Sequence, residues 1–145
     1  LQNGGEFVVL LFLAAWGNDT LAYCTGMLIG KHKMSPILSP KKSIEGLVGG
    51  IVGAAILGAL YGLYLNTYIR FSFNPVTMFP IVCGLGGAVS VIGDLAASAI
   101  KRDSGIKDYG TLIPGHGGIL DRFDSIIFIA PVIYYLTVMI SGGAI

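Results

Sequence analysis

Apolar residues in this chain fall into four long runs, over 7–29, 45–65, 76–100 and 122–140, separated by short polar stretches. None shows the alternation of period two that marks a half-buried strand. Each can carry a helix across the hydrocarbon layer, which takes about 20 residues. In lipid, backbone polar groups are satisfied only inside helices or closed barrels. The pattern predicts an all-α, polytopic transmembrane helix bundle: four membrane helices in a single membrane domain over 1–145. In the second run small residues recur at every fourth position, Gly46, Gly50, Ala54, Gly58 and Gly62. Such a stripe lets another helix approach closely. It is not a phosphate loop, because Gly49 and Gly50 lie inside an apolar helix with no following Gly-Lys-Ser/Thr.

Composition agrees. Of the 145 residues 54% are hydrophobic and 12% charged, against about 25% charged in ordinary soluble domains. The net charge of +1 implies no general affinity for nucleic acid. Cys24 and Cys83 both fall in predicted membrane helices and read as small apolar fillers. No charged stretch precedes the first apolar run, so no signal peptide is read, and a natural N-terminus upstream of Leu1 is expected. Loop charge sets the orientation. Lys31, Lys33, Lys41 and Lys42 lie between the first two runs, and Lys101, Arg102 and Lys107 between the last two; the loop on the other side has Arg70 alone. By the positive-inside rule the two basic loops are expected in the cytoplasm.

The candidate chemistry lies on that side. The stretch 98–124, SAIKRDSGIKDYGTLIPGHGGILDRFD, concentrates charge between two apolar runs. Asp94, Ser98 and Lys101 share one helix face, with Asp94 about 10 Å deeper than Lys101 by the helical rise; a local ion pair with Lys101 or Arg102 is the plainer alternative. Asp121 and Asp124 open the last helix, where the helix dipole alone would favour them. Asp94, Asp121 and Asp124 together, with no thiolate or convincing His partner, form an oxygen-only set of the kind that suits Mg2+. The interleaved Lys and Arg would offset the phosphate charge of a metal–triphosphate complex. Three glycines around His116 make a turn whose backbone amides could cup a phosphate. Ser43 is a plausible cap for the second helix after an extended entry at Pro40, with Lys41 and Lys42 beside that helix start; ordinary cytoplasmic anchoring explains those lysines equally well. Within the first run Asp19 and Tyr23 share a face. An intramembrane carboxylate is a functional hypothesis by default, a buried hydrogen-bond partner being its structural reading.

Read together, these residues resemble the signature of the phosphatidate cytidylyltransferases, the CDP-diacylglycerol synthases. The matching positions are Ser98, Lys101-Arg102, Lys107-Asp108, Pro114-Gly115-His116-Gly117-Gly118, Asp121-Arg122 and Asp124, with every spacing of the pattern met. DTLAYCTGMLIGK over 19–31 and SPKKSIEG over 39–46 also look like the family, which more often has Thr where Ser43 stands. The resemblance covers most of the chain.

That resemblance implies transfer of CMP from CTP to phosphatidic acid, giving CDP-diacylglycerol and pyrophosphate, with Mg2+ and room for a second cation. It implies that Asp94 and Asp121 carry metal, and with Lys101 they are the expected catalytic residues; Asp124 is expected as a further metal ligand or as support for one. Ser98, Lys101, Arg102, Lys107, His116, Gly117, Gly118, Arg122, Lys41 and Lys42 would bind substrate. The chain would be the C-terminal catalytic part of a longer pattern whose upstream helices are absent here. A multi-pass protein of the lipid bilayer is expected, in the plasma (inner) membrane if bacterial, and a homodimer suits the family. Two other readings stand beside it. A CTP-dependent polyprenol or phytol kinase would attack the γ-phosphate of CTP with a neutral hydroxyl. A cation transporter lined by Asp19 and Asp94 would leave the long charged loop without a role.

Overall fold

The computed structural model describes residues 4–35, 39–71, 73–106 and 120–140; for Ser35, Ser39, Pro40, Lys41, Leu120, Asp121 and Arg122 it describes the backbone alone. Helix α1 (Gly4–Phe12) passes through one π-helical turn (Leu13–Gly17) into α2 (Asn18–Ile29). A two-stranded antiparallel hairpin follows, β1 (Lys33–Ser35) and β2 (Ser39–Ser43), with Lys33 opposite Ser43 and Ser35 opposite Ser39. Then come α3 (Ile44–Tyr68), α4 (Pro75–Asp103) and α5 (Leu120–Ile140). Four helical spans, Gly5–Ile29, Ile44–Tyr68, Pro75–Asp103 and Phe123–Ile140, are long and apolar enough to cross a membrane. The predicted all-α transmembrane bundle of four spans is what forms.

Local signals explain where the helices start. The Ser43 hydroxyl accepts the Gly46 N–H at 3.1 Å, so Ser43 caps α3 as its position predicts. The Asn74 side chain accepts the Val76 N–H at 3.0 Å, and Pro75 takes the first position of α4, where a missing N–H costs nothing. The π turn was not anticipated. Such turns are rare and concentrate at functional sites; this one ends immediately before Asn18 and Asp19.

The packing follows the small-residue stripe. Gly46, Gly50, Ala54, Gly58 and Gly62 are all buried, and α3 makes its largest interfaces with α4 and α2. The approach is close: a Cβ on Gly58 would stand 2.6 Å from the Phe79 carbonyl oxygen, and one on Gly62 2.5 Å from that of Pro75. Leu10, Ala14, Phe79, Val82, Cys83, Ile129 and Ile133 fill the space between α1, α4 and α5. Cys24 and Cys83 are free thiols, Cys83 within this core. Large apolar side chains such as Val52, Ile56, Leu60 and Ile92 point outward, as they do where lipid is the solvent.

Candidate active site at one end of the bundle

The hairpin brings the basic loop back onto the helices. The His32 carbonyl accepts the Ile44 N–H at 3.0 Å, and the His32 N–H donates to the Glu45 carboxylate at 3.2 Å. The His32 ring nitrogen Nδ1 meets the same carboxylate at 2.6 Å. These contacts tie β1 to the first turn of α3. They also fix Lys42, one residue before the cap, over the gap between α2 and α4.

Lys42 then reaches inward. Its amine is in contact with the Asp94 carboxylate on α4. Burial lowers the Lys42 amine below its ordinary value of 10.5, while the Asp19 and Asp124 carboxylates pull it partly back up. A second link crosses from α4 to α5, where Lys101 Nζ lies 3.8 Å from Asp124 Oδ2, both side chains nearly buried. Asp124 is also held by its neighbour, Oδ1 accepting the Ser125 N–H at 2.7 Å. Asp94 therefore pairs across the bundle, and the local Asp94–Lys101 or Asp94–Arg102 pair is not what forms. Ser98 lies half-buried on α4 between these links, and Arg102 is exposed at the end of the helix.

A cavity of about 480 Å³ opens beside Lys42, between α2, the hairpin, α3 and α4. Asp19, Lys42 and Asp94 give it a charged end, while Tyr23, Met27 and Met34 give it an apolar wall. Asp19 and Tyr23 share this lining, as their spacing predicts. Asn18 lies at its inner side, fully buried, and neither polar atom of its carboxamide has a hydrogen-bond partner among the described residues. Sequence reasoning stopped at Asp19 and Tyr23. The same four-residue step continued to Met27 would have found that wall, whereas Lys33 and Met34 enter only through the hairpin, which no apolar pattern announces.

The remaining candidates divide by position. Asp121 and Arg122 fall in the first turn of α5, and Lys41 in β2, as backbone only. Lys107, His116, Gly117 and Gly118 lie outside the described residues. Among the described residues no group of three or more His, Cys, Asp or Glu is placed to hold a metal ion. That still fits Mg2+, which usually takes only one or two protein carboxylates and completes its shell with water and substrate phosphates. Asp94 and Asp124 offer carboxylate oxygens at this end of the bundle, the hard ligands that such an ion requires.

The fold and site define a helical membrane protein that gathers carboxylates and lysines around a part-apolar pocket at one end of its spans. The chain belongs to the cytidylyltransferase family, whose pattern matches residues 1–140. It is 39% identical over 139 residues to the phosphatidate cytidylyltransferase of Staphylococcus saprophyticus subsp. saprophyticus, a match covering 96% of this chain and 52% of that protein. It is 38% identical over 137 residues to that of Staphylococcus haemolyticus, covering 94% and 51%. Against the phosphatidate cytidylyltransferase of Staphylococcus aureus strain COL it is 40% identical over 137 residues, covering 94% and 51%. The chain thus spans about half the length of the curated relatives it matches.

Proposed function

We propose that the protein carrying this chain transfers CMP from CTP to phosphatidic acid, releasing pyrophosphate and leaving CDP-diacylglycerol in the membrane. The observation that carries the reading is the charged relay at one end of the bundle. Lys42 on the hairpin, Asp94 and Lys101 on α4 and Asp124 on α5 come together beside a pocket with an apolar wall. Such a pocket suits a molecule with a charged head and a greasy tail.

The chemistry asks for charge control more than for a base. A phosphate monoester loses its second proton near pH 6, so at neutral pH the attacking oxygen of phosphatidic acid is already ionised. What must be overcome is repulsion between two anions. Lys42, Lys101 and Arg102, with Lys107 and Arg122, would neutralise and align phosphates for in-line attack on the α-phosphate. Ser98, between Asp94 and Lys101 on the same face, would donate a hydrogen bond to one of them. The loop around His116, Gly117 and Gly118, with Lys41, would shape the nucleotide's side of the site. Asp94, Asp121 and Asp124 would hold Mg2+, which when bound polarises the phosphoryl group and stabilises the leaving pyrophosphate. The basic loops favour the cytoplasmic side for this end, where CTP is found, and the proposal includes a homodimer.

The test uses the full-length protein in detergent–lipid micelles with Mg2+, CTP and phosphatidic acid. Pyrophosphate and a CMP-bearing lipid are expected, with no turnover by Asp121→Asn at unchanged thermal stability. CDP release on adding a polyprenol would replace this reading with a lipid kinase. Failure to consume CTP with either acceptor would sink both.

A further inference from the structure

Asp19 is the second carboxylate on the cavity wall. It lies within a membrane span and lines the same cavity as Lys42 and Asp94, yet no ion pair within 4.0 Å reaches it among the described residues. A carboxylate in a span is expensive unless something uses it. The charge that compensates it most is that of Lys42, which feels the Asp19 charge across the cavity while touching Asp94. Three carboxylates thus act on Lys42: it touches Asp94, Asp124 is paired with Lys101, and Asp19 is the one that no lysine touches among the described residues.

The proposed function makes that arrangement consequential, and the inference rests on it. Asp94 cannot hold a divalent cation and keep the Lys42 ammonium with equal strength. Two cations sharing one carboxylate in a low-dielectric site repel each other strongly. Lys42 must then leave Asp94, and a part-buried ammonium is stabilised by a new partner. The other carboxylate on the cavity wall is Asp19.

We infer that Asp19 is a positioning residue that acts through Lys42. In the cation-free protein Lys42 neutralises Asp94. When Asp94 turns to a divalent cation, Asp19 receives Lys42 and keeps its amine over the cavity, where a phosphate can meet it. The contact between Lys42 and Asp94 is the resting position of a two-place lysine.

The test is a Mn2+ titration followed by electron paramagnetic resonance on the full-length protein in detergent–lipid micelles, without nucleotide. Lys42→Met removes the resident competitor, so Mn2+ should bind about tenfold more tightly, a coupling typical of contacting charged residues. Asp19→Asn removes the receiving station, so Mn2+ should bind more weakly, by about fivefold. In the Lys42→Met background Asp19→Asn should change the affinity less than about twofold, because its effect is exerted through Lys42. Lys33→Met, which removes a positive charge from the same cavity wall, should have little effect. Equal weakening by Asp19→Asn in both backgrounds would overturn the inference and make Asp19 a ligand or a simple field charge. Unchanged binding in Lys42→Met, or equal tightening in Lys33→Met, would also overturn it. CMP transfer is scored separately: intact transfer without Mn2+ coupling removes only the lysine switch, and Mn2+ coupling without transfer removes the enzymatic reading while the switch stands.

Discussion

Gly46 is where packing and site meet, and Gly46→Ala separates them from general helix preference. Gly46 is the third residue of α3 and lines the cavity with Ala22 and Gly26 of α2. A Cβ added there would stand 2.7 Å from the Ala22 carbonyl oxygen, 2.9 Å from the Ser43 hydroxyl and 3.3 Å from Gly26 Cα. The first of these is backbone and cannot rotate away. It lies well inside the 3.4 Å at which ordinary contact begins, so α2 must retreat by several tenths of an ångström. Overpacking of this kind costs about 1–3 kcal/mol. The matched control is Gly84→Ala on α4, where the new methyl would meet only Ala55 Cβ at 3.6 Å. Both changes bring a similar gain in helix propensity, up to about 1 kcal/mol, so their difference reports the clash. Unfolding in mixed micelles should place Gly46→Ala about 1–3 kcal/mol below Gly84→Ala. Moving α2 also moves Asp19 away from Lys42, and misplacement near 1 Å can cost about 100-fold in rate. A Gly46→Ala protein as stable and as active as Gly84→Ala would refute the close crossing of α2 and α3.

Three further outcomes follow from named contacts. Ser43→Ala removes the acceptor of the Gly46 N–H and should lower stability by about 1 kcal/mol; an unchanged unfolding midpoint would show that the cap does not hold the start of α3. Lys101→Met leaves the nearly buried Asp124 without its lysine, and breaking buried pairs costs about 3–5 kcal/mol, so the same assay should register a large loss. Glu45→Gln breaks the pair with the exposed His32 and should change global stability little, while backbone amide exchange rises at His32 and Ile44; if it destabilises as much as Lys101→Met, burial is not what ranks these pairs.

The sequence made the spans legible because lipid imposes a simple rule: apolar residues all round, for long enough. That rule located all four spans, and the Gly46-to-Gly62 stripe identified the buried face of α3. It could not anticipate the π turn, since Leu13–Gly17 is as apolar as the helix on either side. Nor could it find the hairpin, because KMS and SPKKS carry no alternation of apolar and polar positions; backbone pairing and the His32–Glu45 contacts hold it instead. The site was half legible for a related reason. Spacing on one helix showed that Asp94, Ser98 and Lys101 share a face, but which charge pairs with which is a tertiary fact. Asp94 was open to a local partner seven or eight residues on and took Lys42, 52 residues earlier.

Lys42 also shows why this end of the bundle is organised for a ligand. Lysines near membrane helix ends usually extend outward, keeping the ammonium in water. Lys42 extends the other way, toward carboxylates set below the helix ends, and loses solvation in doing so. Around it Asp19, Asp94 and Asp124 face Lys42 and Lys101, and Lys33 on the cavity wall brings the ammonium groups to three as well, of which Lys42 and Lys101 are already paired with Asp94 and Asp124. With two of its lysines engaged by carboxylates, this group has little positive charge to spare for a triphosphate, so on the proposed reading CTP should enter with or after Mg2+ and not before it. Calorimetric titration of CTP into the full-length protein should give weak binding in chelator and at least about tenfold tighter binding with Mg2+, equivalent to about 1.4 kcal/mol. Equal CTP affinity in both conditions would mean that the basic residues outside this group offset its charge unaided, and the carboxylates would then need another explanation for their place inside the membrane.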